Sequence, residues 1–100
     1  MKHVLKYKLT RELTTPGIKE IEVQLPFFSP IVSVEVQRGY LCIWAESEIG
    51  TKDLVNAKFI IAETGDSIPN NTKHIGTIHH TGWVWHLYEI IKEKESRNWC

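Results

Sequence analysis

Period-two alternation of apolar and polar side chains, broken by clusters of turn formers, recurs along this chain and constrains its fold more than any other feature. A strand turns successive side chains to opposite faces, so alternation marks an extended segment with one face buried. The densest instance is residues 75–90, IGTIHHTGWVWHLYEI, where Trp83 and Trp85 fall on one face and Val84, His86 and Tyr88 on the other. Around His80-Thr81-Gly82 the pattern breaks, which predicts strands over 73–79 and 83–90 joined as a hairpin with Gly82 at the positive-angle position.

The same reading applies upstream. Residues 2–9 place His3, Leu5, Tyr7 and Leu9 on one face and Lys2, Lys6 and Lys8 on the other, with Val4 the exception. Thr15-Pro16-Gly17-Ile18 has the residues of a type II turn. Residues 18–25 then alternate with Ile21, Val23 and Leu25 inward, and an antiparallel hairpin between these first two strands is expected. Pro26 and Pro30 exclude a central strand between them, leaving a loop in which at least one of Phe27 and Phe28 is expected to cap the core. Residues 31–37 predict a strand with Val32, Val34 and Val36 on one face, turned at Arg38-Gly39 into a strand over 40–46. There Leu41, Ile43 and Ala45 oppose Tyr40, Cys42 and Trp44, the two-sided cover of a central strand. Residues 53–63 fit a helical stripe through Leu54, Ala57, Ile60 and Ile61 as well as a strand through Val55, Ala57, Phe59 and Ile61. The Phe59-Ile60-Ile61 run favours the strand. Residues 64–71 are turn formers, and 92–100 form a charged tail, helical or frayed. The expectation is therefore all-β: a small single-domain antiparallel sandwich or barrel of about seven strands over residues 1–91.

Charge and cysteine usage narrow the setting. Lys plus Arg and Asp plus Glu number twelve each, so no overall field draws the chain to long nucleic acid or to an anionic membrane. The lysines of the first ten residues interrupt any signal-peptide core, and no apolar run reaches the roughly 20 residues of a membrane helix; a cytoplasmic location is expected. Cys42 and Cys100 have neither metal-site nor redox-motif spacing and read as free thiols. Asn70-Asn71-Thr72 fits a glycosylation sequon without secretory context.

At this point several segments together become informative: HVLKYKL at the start, LCIWA after the two-residue turn, ETGDSIP, KHIGT and VWHLYE. They resemble a family of small β-rich domains of unknown function from phages and bacteria, over residues 2–89, with Trp44, Gly65, Pro69, Ile75, Gly76, Thr77, Val84, Trp85, His86 and Glu89 the best-marked positions. The chain departs from that pattern at residues 10–17 and after Glu89. The resemblance implies a fold and a phage setting, host cytoplasm included, but no catalytic residue.

The chemistry-bearing residues form no catalytic constellation: no nucleophile elbow, phosphate-cradling glycine loop or assigned acid–base pair is legible, and an enzyme is not expected. His74, His79, His80 and His86 lie close in sequence, but His79 and His80 point to opposite faces, so no metal or other cofactor is expected. Trp44, Trp85 and His86 are expected as structural core residues. The remaining aromatics and cations allow two readings. In the first, the protein is a phage-type binding protein, expected to be a homo-oligomer, that sequesters a nucleotide-like host defence signal. Arg38, Tyr40, Lys73, His79, His80 and Trp83 would then supply stacking faces and phosphate donors. In the second, the exposed aromatics bind and inhibit a host protein.

Overall fold

The computed structural model describes residues 1–10 and 19–91. Within them the chain forms β1 (Lys2–Thr10), β2 (Lys19–Pro26), β3 (Ile31–Gln37), β4 (Tyr40–Glu48), β5 (Leu54–Glu63), β6 (Thr72–His80) and β7 (Trp83–Ile90). No helix among these residues is long and apolar enough to cross a membrane. The turn expected at Thr15-Pro16-Gly17 and the tail at 92–100, Cys100 included, lie outside the described residues.

Two antiparallel sheets result, one in the order β1-β4-β3 and the other β2-β5-β7-β6. The expected β1–β2 hairpin is not formed: β1 pairs with β4 and β2 with β5. Alternation tells which face of a strand is apolar but not which strand lies beside it. Only a tight turn fixes a neighbour locally, and both tight turns are where the sequence places them. Arg38-Gly39 (φ 52° and 83°) and Thr81-Gly82 (φ 50° and 82°) have the paired positive angles whose twist matches that of hairpin strands. Of residues 53–63, Leu54–Glu63 are strand, because Ala57, Phe59 and Ile61 turn together into the core while Lys58 stays outside.

The inward faces share one apolar cluster. Leu41 and Ile43 come from β4, and Leu25, Phe59, Ile61, Ile78, Trp85 and Leu87 from the other sheet. Register shifts in β3 and β6 adjust what each strand contributes. In β3 the shift between Ile31 and Ser33 sends Ile31, Val34 and Val36 to the core and leaves Val32 50% exposed, correcting the simple valine face. A bulge adds one residue to a strand and reverses the phase beyond it. In β6 the shift between His74 and Gly76 likewise brings Ile75 against the core.

Connectivity fixes the two ends of the molecule. Phe27 donates its backbone N–H to Asp53 O (2.8 Å) and Glu46 to Pro30 O (3.0 Å), so the end of β2 and the starts of β3 and β5 lie together. The antiparallel ladders put the end of β7 and the start of β6 there too. The Arg38-Gly39 and Thr81-Gly82 turns therefore both emerge at the opposite end. Strands β5 and β6 run the same way on either side of β7, so residues 64–71 must cross that strand.

Where β3 meets β6, the two sheets come closest. A Cβ on Gly76 would collide with Val34 Cγ1, which is why the position is glycine. Gly76→Ala should lower stability by about 1–3 kcal/mol, the scale of core overpacking, read as a lower urea midpoint. Val34→Ala in the same chain should restore most of the loss.

Candidate functional site

The outer face of the three-stranded sheet carries a cationic groove beside the Arg38-Gly39 turn. Ladder register sets Lys8 opposite Cys42 and Lys6 opposite Trp44, while Gln37 faces Tyr40 from the other side of β4. With Arg38 at the turn, these strands enclose a groove of about 640 Å³ lined by Lys6, Lys8, Gln37, Arg38, Tyr40 and Cys42. Lys6 Nζ donates to Gln37 Oε1 (3.1 Å), and Lys8 Nζ stands 4.6 Å over the Tyr40 ring. The buried Cys42 thiol donates to the Tyr40 carbonyl (3.7 Å) beneath them. None of the three cations is ion-paired with a described residue; the only side-chain ion pair among those residues joins Lys2 to Glu46 at 3.5 Å. The nearest acid by register, Glu35, flanks Cys42 from β3 without bridging a cation.

The sequence-predicted ligand residues are thus divided. Arg38 and Tyr40 share the groove. His79, His80 and Trp83 lie on the β6–β7 hairpin, at the same end of the molecule but on the other sheet; Trp83 is 47% exposed, its ring 6.2 Å from that of Trp85. One chain brings both turns to one end, without a second copy. Lys73 lies at the opposite end, across the ladder from Glu89. Lys6 and Lys8 escaped the sequence reading even though their shared outward face was legible, because the face acquires meaning only when β4, carrying Tyr40, is its neighbour.

Of the expected core residues, Trp85 is 1% exposed, and its indole N–H finds no acceptor among the described residues. Trp44 and His86 are corrections: each is half-buried on the outer face of its sheet and outside the apolar cluster. His86 lies opposite Ala62 and is held by Thr77 Oγ1 at Nδ1 (3.1 Å) and Thr64 Oγ1 at Nε2 (2.8 Å). His74 Nε2 meets the same Thr77 hydroxyl (3.2 Å), with its ring edge-on to Tyr88. The single Thr77 hydroxyl bridges the two imidazoles, and no set of three or more metal-ligating side chains occurs among the described residues.

A second concavity lies at the other end. Glu89 follows Trp85 and Leu87 on the inward face of β7, opposite Phe59 on one side and Lys73 on the other, and lines a groove of about 500 Å³ with Phe27, Phe28, Val55 and Ile91. Contrary to expectation, neither phenylalanine caps the core; Phe28, at φ 57°, is 79% exposed. The turn that presents them is tied by the Ser29 hydroxyl donating to Pro26 O (2.6 Å). Burial pushes the Glu89 carboxyl above the ordinary range, opposed by the Lys73 cation.

A raised carboxyl keeps its proton in the folded chain at pH values where the unfolded chain has lost it. Stability from this group therefore falls as pH rises from about 4.3, the unperturbed value, through the raised folded one. Glu89→Gln should show a higher urea midpoint than the parent at pH 7 and a smaller decline between pH 4 and pH 7. Superimposable profiles would contradict this assignment.

No curated protein and no solved structure matches the chain significantly. A model of a domain of unknown function, DUF7352, matches residues 1–98, and the chain belongs to that family.

Proposed function

We propose that this domain is a binding protein for a small nucleotide-like anion, held without bond-breaking chemistry in the groove formed by Lys6, Lys8, Arg38 and Tyr40. One observation carries the reading: three cationic side chains border one groove beside an aromatic ring, and none of them is neutralised by a described carboxylate. Arg38 offers a planar fork to phosphate oxygens, and the lysines supply point charges. The half-buried Tyr40 ring gives the groove an apolar wall already in contact with a cation. Trp83, exposed at the same end, is the aromatic face available to a base that extends past the turn. We read the two sheets as a sandwich, since no ladder joins β3 to β6 or β1 to β2 among the described residues. The groove then sits on an outer face that the core does not need. Sequestration of a signalling nucleotide fits a site of this kind, which retains its ligand and needs no turnover.

Isothermal titration against cyclic dinucleotides, adenosine diphosphate ribose derivatives and short single-stranded oligonucleotides tests the proposal. A member of the panel should bind, more weakly at higher salt. Lys8→Ala and Arg38→Ala should each reduce its affinity by about 1–3 kcal/mol, the worth of a charge-assisted hydrogen bond, while leaving the unfolding midpoint of the free protein unchanged. Silence across the panel, or binding indifferent to both substitutions, overturns it.

A further inference from the structure

The outer face of the three-stranded sheet holds a second concavity directly beside the cationic groove. It measures about 300 Å³ and is lined by Val4, Val32, Ser33, Glu35, Gln37 and Trp44, so the two hollows share Gln37. Strand register explains why they adjoin. Tyr40, Cys42 and Trp44 follow one another along one face of β4, flanked by Lys8 and Lys6 from β1 and by Gln37, Glu35 and Ser33 from β3. At about 3.3 Å per residue, Tyr40 and Trp44 stand roughly 13 Å apart along the strand. That span is on the scale of an extended nucleoside diphosphate.

Trp44 is half-buried on a face that the core does not use, and the exposed Val4 and Val32 stand beside it. A large ring kept partly in water between two apolar side chains is a platform on which a flat base stacks. The groups around this platform are polar and directional. An ammonium only donates, so the contact of Lys6 Nζ with Gln37 Oε1 (3.1 Å) turns the amide oxygen of Gln37 toward the lysine and leaves its amide nitrogen as a donor for another group. Glu35, the preceding residue on the same face of β3, is exposed and bridges no cation of a described residue, so its carboxylate presents acceptors beside that donor.

A carboxylate beside an amide donor complements one edge of guanine, where the N1–H and the N2 amino group donate in parallel and O6 accepts. On the corresponding edge adenine sets one amino donor beside a ring-nitrogen lone pair, so a carboxylate there gains one hydrogen bond and faces one repulsion. The position of Glu35 points the same way. An acid bordering a phosphate site repels the phosphate, and its presence on this face is accounted for when it serves a neutral, donor-bearing part of the ligand.

We propose, resting on the nucleotide reading of the cationic groove, that this adjoining concavity is the base subsite of the same ligand and selects guanine. The base stacks on Trp44, Glu35 accepts from N1–H and the N2 amino group, Gln37 donates to O6, and the phosphates extend along β4 toward Lys8 and Arg38. Trp44 takes this role ahead of Trp83 because it shares a sheet face and a lining residue with the cationic groove, whereas Trp83 belongs to the other sheet.

Isothermal titration of the whole protein with guanosine diphosphate, adenosine diphosphate and inorganic pyrophosphate tests the subsite. Guanosine diphosphate should bind about tenfold more tightly than adenosine diphosphate, as expected of one further charge-assisted hydrogen bond, and both should bind more tightly than pyrophosphate. Glu35→Gln should bring the two nucleotides to equal affinity; the residue is exposed, so this variant keeps its fold. Trp44→Leu should remove most of the advantage of either nucleotide over pyrophosphate, the loss of one stacked base. Pyrophosphate binding as tightly as both nucleotides, equal affinity for the two nucleotides in the parent, or a preference for guanine that survives Glu35→Gln overturns the subsite and leaves the reading of the cationic groove standing. So does a nucleotide advantage lost in Trp83→Ala and kept in Trp44→Leu. Silence of all three ligands overturns the subsite and, joined to silence of the wider nucleotide panel, the reading on which it rests.

Discussion

The structure depends on the burial of the inward face of β4 against β5 and β7. Leu41, Ile43, Phe59, Ile61, Trp85 and Leu87 leave water together in one cluster drawn from both sheets. Side chains of this size each contribute roughly 1.5–3 kcal/mol on full burial, the dominant favourable quantity in a domain of 100 residues. The close passage of β3 over β6 at Gly76 follows from this apposition. At that point backbone and Val34 side chain meet without an intervening side chain.

The inward face of β7 explains why the two ends of the molecule differ. Its residues run Trp83, Trp85, Leu87, Glu89: half-exposed, buried, buried, half-buried. The strand is longer than the core that covers it, so its first and last inward residues extend past the cover at opposite ends. At one end that leaves a tryptophan near the turn bearing Arg38; at the other it leaves a carboxylate under a loop of phenylalanines. Residues at such positions contribute little to the core and are available for recognition, which is usual where a rigid scaffold carries its chemistry at its margins.

Much of the fold was legible because it is written in period two. The facing sets of β1 and β2, the strand over Leu54–Glu63 and the two turns at Arg38 and Thr81 all follow from local rules. What escaped depended on non-local partners. A bulge at Ile31–Ser33 reverses a phase that the valines of β3 display cleanly, and nothing in their spacing announces it. Trp44 and His86 read as core because large or ring-bearing side chains in mid-strand usually are, yet each falls on the odd phase of a strand whose other face is already full. Phe27 and Phe28 read as a cap for the same reason, and the turn closed by Ser29 directs them outward. The cationic groove was half visible: Arg38 and Tyr40 are adjacent to a recognisable turn, whereas Lys6 and Lys8 join them only through a strand pairing between residues more than thirty positions apart.

That pairing also accounts for a local field on a chain of zero formal charge. Along the outer face of β1 and β4 the register meets cations with anions at one end only. Lys2 reaches Glu46 and the amino terminus lies 3.4 Å from Glu48. Further along the same face Lys6 meets Trp44 and Lys8 meets Cys42, so neutralisation stops partway up the strand. Exposed pairs of the first kind contribute little to stability. No acid of β1 or β4 lies there and Glu35 of β3 bridges none of these cations, which leaves positive charge beside Arg38 that nearby lysines and a tyrosine ring hold but do not cancel. Such charge is screened over roughly 8–10 Å in physiological salt, short enough to leave the rest of the surface neutral and long enough to reach an anion entering the groove.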